Sequence, residues 1–332
     1  MPLSQSMGIM RSIIMSKKAL IFGVTGQDGA LLTRFLLDKG YQVAGAARSE
    51  LNADYANLTA TAVFDQVEIW HVSLLDKSAV KDLLIEIKPD EIYNLSGQSS
   101  VGLSFTCPVE TFESHALATL NLLEAIRLSG SPIKLFNAGS GECFGDTRGK
   151  PANESTSFYP RSPYAVAKTA AFWEVVNYRE VYGLFSCTGI LFNHESPLRP
   201  TRFVTSKIVR AASRIADSSK EQLTLGDLSI RRDWGWAAEY VDAMWRMLQL
   251  QEPEDFVIAT GQSNSLESFV AEAFACVGLN WREHVKLDED LLRPSEIPEI
   301  KGDASKAREK LGWTAKFHMS EVIKKMMDLN HE

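Results

Sequence analysis

A glycine-rich turn constrains the fold of this chain more than any other feature. Lys18 to Val24 is an apolar run of strand length that leads through TGQDG into a helix-like segment. Gly23, Gly26 and Gly29 recur at every third position across this turn. A tight turn in any α/β protein could use the same glycines. The flanking strand and helix favour a dinucleotide site, in which bare backbone and helix N–H groups approach a pyrophosphate.

Strands and helices alternate over the following residues. Strand-like runs begin at Tyr41 and Gln66, and a helix over 75–88 ends before the strand EIYNLS. A helix over about 109–128, the strand IKLFNAGS, a helix over about 164–182 and the strand CTGILFN continue the pattern. This alternation predicts the α/β class, with a Rossmann doubly wound parallel sheet and a smaller C-terminal α/β substrate-binding domain.

The domain boundary is predicted near residue 192, where the alternation weakens and HESPLRPTRF is rich in Arg and Pro. A helix near 241–250 and the strand DFVIATG are expected to return to the first domain. The predicted division comprises a flexible N-terminal extension over 1–15, an NADP-binding Rossmann domain over 16–192 plus about 238–262, and a nucleotide-sugar-binding domain over 193–237 and 263–332.

Charge and cysteine content exclude several classes of protein. The chain carries 35 Lys plus Arg against 42 Asp plus Glu, a net charge of −7, which argues against general binding to nucleic acid. Cys107, Cys143, Cys187 and Cys276 are widely spaced, so neither a metal site nor a disulfide framework is expected. No apolar run approaches the roughly 18 residues of a membrane helix. We therefore expect a cytoplasmic protein without membrane contact.

The end of the second predicted strand bears on the choice of cofactor. An acidic residue there would bind the adenosine ribose of NAD, whereas an Arg would bind the 2′-phosphate of NADP. Ala46 and Ala47 carry no carboxylate, and Arg48 and Ser49 follow them. NADP is therefore favoured, although Glu50 is a counter-signal and Arg48 could be an ordinary surface charge.

Tyr164 and Lys168 are four residues apart at the start of a predicted helix, so their side chains share a face. An ammonium beside a phenol, whose reference pKa is about 10, favours the phenolate. Ser140 and Glu142 follow the preceding strand, at the edge where open parallel sheets place their active sites. These four residues are the predicted catalytic set.

Longer motifs resemble a known family. GVTGQDGA, SGECFG, FYPRSPYAVAK, GILFNHESP, RRDWG and LRPSEIPEI are similar to the extended short-chain dehydrogenase/reductases, and most closely to the GDP-mannose 4,6-dehydratases. The resemblance runs from Lys17 to the C-terminus. It implies an NADP-dependent hydro-lyase of deoxysugar biosynthesis that converts GDP-mannose to GDP-4-keto-6-deoxymannose.

The resemblance also implies roles for individual residues. Tyr164, assisted by Lys168, would deprotonate the sugar 4-hydroxyl, and Ser140 would hydrogen-bond the 4-oxygen. Glu142 would take the C5 proton and help water to leave from C6. Cofactor contacts are expected from Gly23, Thr25, Gly26, Gln27, Asp28, Gly29, Arg48, Ser73, Leu74, Tyr164, Lys168 and His194. Substrate contacts are expected from Ser99, Asn193, Lys207, Arg232, Arg293 and Glu296.

Some residues depart from the family pattern, and alternatives stay open. Ser140 replaces a usual Thr, Ser73 a usual Asp and Ser206 a usual Arg, while Arg48 stands where the family often has several basic residues. The alternative activities are dehydration of a related sugar such as GDP-manno-heptose, a reductase or epimerase reaction, and non-catalytic cofactor binding. The resemblance implies a homodimer, because family members pair two long helices from each subunit, and a homotetramer is the alternative.

Overall fold

A seven-stranded sheet forms the centre of the computed structural model, which describes residues 16–48 and 54–328. The predicted extension over 1–15, Ser49 and Glu50 lie outside the described residues. The strands of the central sheet are β1 (Lys18–Phe22), β2 (Gln42–Ala47), β3 (Glu68–His71), β4 (Glu91–Asn94), β5 (Lys134–Ala138), β6 (Ser186–Leu191) and β11 (Phe256–Ile258). They lie in the order β11-β6-β5-β4-β1-β2-β3, and every neighbouring pair is parallel.

The strand order reverses between β1 and β4, which places a crevice at their carboxyl ends. Phe22 at the end of β1 is paired with Asn94 at the end of β4, and Asn94 with Asn137 of β5. Strand β1 is almost wholly inaccessible from Ala19 to Phe22, because helices cover both faces of the sheet. The predicted Rossmann fold class is confirmed.

Helices fill the connections between strands, and the predicted ones are present. They are α1 (Gln27–Asp38), α2 (Ala56–Ala60), α3 (Lys77–Ile87), α4 (Val101–Ser104), α5 (Pro108–Phe112), α6 (Ala118–Ser129), α7 (Pro163–Tyr182), α8 (Val204–Ala216), α9 (Ala237–Leu248), α10 (Leu266–Cys276) and α11 (Met319–Asp328). The helix expected over about 109–128 consists of α5, a π-helical turn over Glu113–Leu117, and α6.

The C-terminal part builds a hydrophobic cluster of its own from α8, α10 and α11, around residues such as Phe269 and Val322. Three two-stranded sheets accompany it: β7 (Asn193–Glu195) with β10 (Trp234–Trp236), β9 (Arg231–Arg232) with β12 (Asn264–Ser265), and β8 (Leu223–Leu225) with β13 (Val285–Leu287). Trp313 instead packs with the core beneath α9 and the central sheet. Within residues 16–48 and 54–328, no helix combines the length and apolar character needed to cross a membrane.

Candidate active site

Two adjoining cavities open at the carboxyl ends of the central strands. The larger, about 400 Å³, is lined by residues that include Ser140, Glu142, Tyr164 and Lys168, and we call it the catalytic cavity. The smaller, about 300 Å³, contains the glycine turn and we call it the cofactor cavity. Asp28, Ser99, Arg199 and Arg202 are among the residues that line both, so a ligand in one can reach the other.

The glycine turn fits a dinucleotide because its backbone leaves no space for side chains. Gly23 has φ of +82°, and a Cβ there would lie 2.8 Å from the carbonyl oxygen of Leu95. A Cβ at Gly29 would overlap the carbonyl oxygen of Gly23. Gly26 precedes α1, and no described side chain caps that helix. The first N–H groups of α1 are therefore available to an anion such as a pyrophosphate.

Gln27, Asp28 and His194 connect the glycine turn to β7. The Gln27 amide donates to the His194 carbonyl at 3.2 Å and accepts from Ser196 Oγ at 2.8 Å. His194 Nε2 lies 2.9 Å from Asp28 Oδ2, and its Nδ1 lies 2.7 Å from the Phe192 carbonyl oxygen. The three predicted cofactor residues lie together: Gln27 and Asp28 line the cofactor cavity, whereas His194 lines the catalytic cavity.

Burial and a mutual ion pair have opposite effects on Asp28 and His194. Burial alone would raise the pKa of the Asp28 carboxyl, but His194 outweighs it and lowers that pKa to about 2. Burial likewise opposes protonation of His194, yet Asp28 raises the imidazole pKa above its usual value. The two groups therefore form a charged pair at pH values above the pKa of Asp28 and below that of His194.

The fold also brings together three other predicted cofactor contacts. They line the far side of the cofactor cavity and are Arg48, Ser73 and Leu74. Arg48 is 71% exposed, and its Nη1 lies 3.8 Å from Glu110 Oε1. Glu113 lines the same cavity. Neither glutamate was identified from the sequence, because both belong to a helix far from the second strand in the chain.

Ser140 and Tyr164 come together because β5 ends beside the start of α7. Ser140 Oγ accepts from the Glu142 N–H at 3.2 Å, and the Ser140 side chain is near enough to Tyr164 to act on the pKa of its phenol. The Ser162 hydroxyl caps α7, and Pro163 occupies its first turn. Together they fix where the helix begins and so place Tyr164 in its first turn. Lys168 Nζ donates to the Ala138 carbonyl at 2.8 Å and lies 5.8 Å from the Tyr164 ring centroid.

Burial shifts the pKa values of the Tyr164–Lys168 pair. It lowers the pKa of the Lys168 ammonium to about 8, against smaller effects of Cys143 and Asp28. It raises the pKa of the Tyr164 phenol well above its usual value of 10.0, against the opposing effect of Ser140. Both groups are thus in a low-dielectric setting, where proton transfer is sensitive to nearby charge.

Glu142 is a buried carboxylate in the same cavity, with 14% of its side chain exposed. Burial raises its pKa, whereas the Arg232 and Arg293 guanidinium groups lower it. Arg232 Nε lies 4.0 Å from Glu142 Oε1. Burial and the two guanidinium groups therefore oppose each other at this carboxyl, which lies where a general acid or base could act.

The predicted substrate residues divide into two groups. The fold brings four of them to one surface, the lining of the catalytic cavity: Ser99, Asn193, Arg232 and Arg293. Lys207 and Glu296 are not among its described lining residues. Glu296 accepts from Arg232 at 2.6 Å and from Arg293 at 3.4 Å, and Lys207 Nζ donates to the Thr224 carbonyl at 2.6 Å.

His115, Arg199 and Arg202 line the catalytic cavity but were not identified from the sequence. The Arg-rich HESPLRPTRF was a signal for the two arginines, although its position suggested only a domain boundary. His115 gave no recognisable signal. Within the described part of the chain, no group of three His, Cys, Asp or Glu residues could hold a metal ion.

The family model of the GDP-mannose 4,6 dehydratases matches residues 20–326. The chain belongs to the GDP-mannose 4,6-dehydratase family. GDP-mannose 4,6 dehydratase 1 of Arabidopsis thaliana is 47% identical over 322 residues, which cover 94% of this chain and 89% of the relative. The family expected from the motifs is confirmed.

Solved structures share the fold at much lower identity. The UDP-glucose 4-epimerase of Thermotoga maritima has a TM-score of 0.85 and 21% identity, covering 95% of this chain and 98% of its own. The dTDP-glucose 4,6-dehydratase of Bacillus anthracis, solved with NAD, has a TM-score of 0.83 and 16% identity, covering 95% and 97%. An epimerase and a dehydratase fit equally well, so the fold does not separate the two reactions.

Proposed function

We propose that this protein is a GDP-mannose 4,6-dehydratase that uses NADP and forms GDP-4-keto-6-deoxymannose. The observation that carries the proposal is a second proton-transfer group beside the first. Glu142 lies in the same cavity as Tyr164 and Lys168, two residues after Ser140. An epimerase or reductase needs only the hydroxyl, Tyr and Lys, whereas elimination of water needs an additional base and acid.

The protein's own groups supply the proton transfers. Tyr164 removes the 4-hydroxyl proton, and Ser140 donates a hydrogen bond to the 4-oxygen. Lys168, positioned by the Ala138 carbonyl, favours the phenolate by its positive charge. Once C4 is a ketone, the C5 proton is acidic. Glu142 removes that proton and returns it to the leaving C6 hydroxyl, so that water departs.

A dinucleotide fits the cofactor cavity because Gly23 and Gly29 have no space for a Cβ and α1 offers free N–H groups. The chemistry supplied by a bound NADP would be reversible hydride transfer, out of C4 and back to C6. The proton that Tyr164 takes from the 4-hydroxyl balances the one added at C5, so the net reaction would be dehydration. Arg48 would meet the 2′-phosphate of NADP. Its neighbour Glu110 competes for the same guanidinium, so we expect a modest preference over NAD.

The GDP part of the substrate would be held by the cationic side of the catalytic cavity. Arg232 and Arg293 suit a diphosphate because a guanidinium forms paired hydrogen bonds with phosphate oxygens. Their bonds to Glu296 orient them. Asn193 and Ser99 add uncharged donors and acceptors. Lys207 would act only if it exchanged its bond to Thr224 for one to substrate.

An apolar surface on two neighbouring helices supports a homodimer. On α7, Val166, Trp173 and Val181 share one face and are exposed, Trp173 by 57%. Val109 and Leu128, on the adjacent α5–α6 segment, are also exposed. Patches of this kind on a folded protein mark interaction sites. We propose that a second copy of this chain covers this surface. We also propose that the protein is cytoplasmic. A tetramer would need a further surface.

The proposed division into domains is supported by the hydrophobic cluster around Phe269 and Val322, whose buried residues all lie in the second domain. Residues 16–192 with about 238–262 would bind NADP, and 193–237 with 263–332 would bind the sugar nucleotide. Trp313 belongs to the second domain by its position in the chain but packs in the core of the first. The C-terminal residues therefore contact both domains.

Mass spectrometry of products tests the activity. The protein is incubated with a catalytic amount of NADP and, separately, with GDP-mannose and GDP-manno-heptose. The proposal requires loss of one water from GDP-mannose, without net reduction of NADP. Faster conversion of the heptose would identify the alternative substrate. A product of equal mass would indicate an epimerase, and stoichiometric use of cofactor a reductase.

A further inference from the structure

His115 reaches the catalytic cavity from an irregular point in a helix. The turn over Glu113–Leu117 is π-helical, between the regular α5 and α6. A π turn inserts a residue into a helix and is frequent at functional sites, because it changes the direction of nearby side chains. This turn packs against α7, which carries Tyr164. Its His115 side chain lines the cavity while the residue is only 4% exposed.

His115 contacts two parts of the site at once. Its ring packs against the Tyr164 ring in a T-shaped arrangement, with centroids 5.3 Å apart and an interplanar angle of 88°. Its Nε2 lies 2.7 Å from the carbonyl oxygen of Gln98. A Cβ at Gly97, which has φ of +120°, would overlap the His115 ring. The loop that carries Ser99 is therefore shaped around this imidazole.

The surroundings also determine the charge and tautomer of His115. Burial lowers its pKa well below the usual value, and the positive charge of Lys168 lowers it further. A carbonyl oxygen can only accept, so Nε2 must carry the hydrogen. The ring is thus neutral and adds no positive charge beside Lys168.

We propose that His115 is a positioning residue, whose Nε2–H imidazole holds the Tyr164 ring and the Gln98 carbonyl in place for the first proton transfer. The observations that carry it are the ring contact, the hydrogen bond and the fit to Gly97. This proposal rests on the proposed function only in its kinetic test, since the protonation state of the ring can be measured without substrate.

The state of the ring is tested by nitrogen-15 NMR of the histidine-labelled protein, with His115→Gln to assign the signal. We expect a neutral Nε2–H tautomer throughout the neutral pH range, with and without NADP. A protonated ring at neutral pH, or a hydrogen on Nδ1, would overturn the proposal. This outcome does not depend on the enzyme's activity.

The positioning role is tested in a Glu142→Gln background, where the reaction should stop after oxidation at C4. The absorbance of the reduced nicotinamide after mixing with GDP-mannose then reports the step assigned to Tyr164. Addition of His115→Ala should slow this step about tenfold, because small misplacements of reacting groups are costly. NADP affinity should change less than twofold. His115→Phe retains a ring and His115→Gln a donor, so each should restore part of the rate.

His284→Ala is the matched control, since this ring stacks on Phe274 within the C-terminal part of the chain. It should leave the first step unchanged. An unaltered rate in His115→Ala, or a loss matched by an equal loss of NADP affinity, would reduce His115 to an ordinary core residue. If the Glu142→Gln parent itself accumulates no reduced nicotinamide, the proposed function fails, while the NMR result still stands.

Discussion

Replacement of Glu142 by Gln should separate the two halves of the proposed reaction. The amide has nearly the same shape but can neither remove the C5 proton nor protonate the C6 hydroxyl. The fold should tolerate the change, because Arg232 keeps its bonds to Glu296 at 2.6 Å and to the Ile297 carbonyl at 2.8 Å. Binding of NADP and of GDP-mannose should therefore persist.

The size of the effect follows from the two roles assigned to one carboxyl. A general acid or base contributes about 10²- to 10⁴-fold, or about 2.7–5.5 kcal/mol of barrier. Glu142 would act as base and then as acid, so a loss of at least about 10³-fold in dehydration is expected. Its pKa, raised by burial and restrained by Arg232 and Arg293, suits both roles.

The assay follows the product by mass spectrometry and NMR in deuterium oxide. The unaltered protein should release the 4-keto-6-deoxy sugar, and Glu142→Gln should release almost none while still reducing bound NADP. Glu267→Gln is the control, because Glu267 pairs with the exposed Arg282 and lies outside both cavities. Retention of full turnover in Glu142→Gln would refute the reasoning.

Three further predictions concern the cofactor, the pH dependence and the assembly. Arg48→Gln should weaken NADP binding several-fold and leave NAD binding nearly unchanged, whereas Glu110→Gln should strengthen NADP binding; titration calorimetry measures both. His194→Asn should lower the melting temperature most between pH 4 and 6.5, the window in which Asp28 is charged and the unfolded histidine protonates. That difference should fade as pH rises through the raised pKa of His194, or falls from 3.8 towards 2, as scanning calorimetry across pH would detect. Trp173→Glu should convert the dimer to monomers in light scattering, and an unchanged mass would exclude that face as the interface.

The sequence identified those parts of the site that depend on local spacing. The glycine turn needs only a strand, a turn and a helix in succession, and the structure has them at Gly23 and Gly29. Tyr164 and Lys168 lie one helical turn apart, so any helix there places them on one face. These elements are determined by nearest neighbours along the chain, which is why their positions could be predicted.

Contacts between distant segments could not be predicted in the same way. His115 reaches the site because a π turn interrupts the helix, and no residue pattern in ESHAL signals that turn. Glu110 meets Arg48 only because α5 crosses the cofactor cavity. Lys207 has the right charge for a phosphate, yet its Nζ is bonded to Thr224. Each depends on how elements pack, which periodicity does not specify.

The position of Arg232 links substrate binding to the reactivity of Glu142. The guanidinium lies 4.0 Å from the Glu142 carboxylate and holds its pKa down, together with Arg293. If a diphosphate binds these two arginines, as proposed, its negative charge offsets theirs at the carboxylate. The pKa of Glu142 should then rise, because burial is no longer opposed to the same extent. Glu142 would thus become a stronger base only when a sugar nucleotide is in place. In the free enzyme, the two arginines compensate the buried negative charge of its carboxylate.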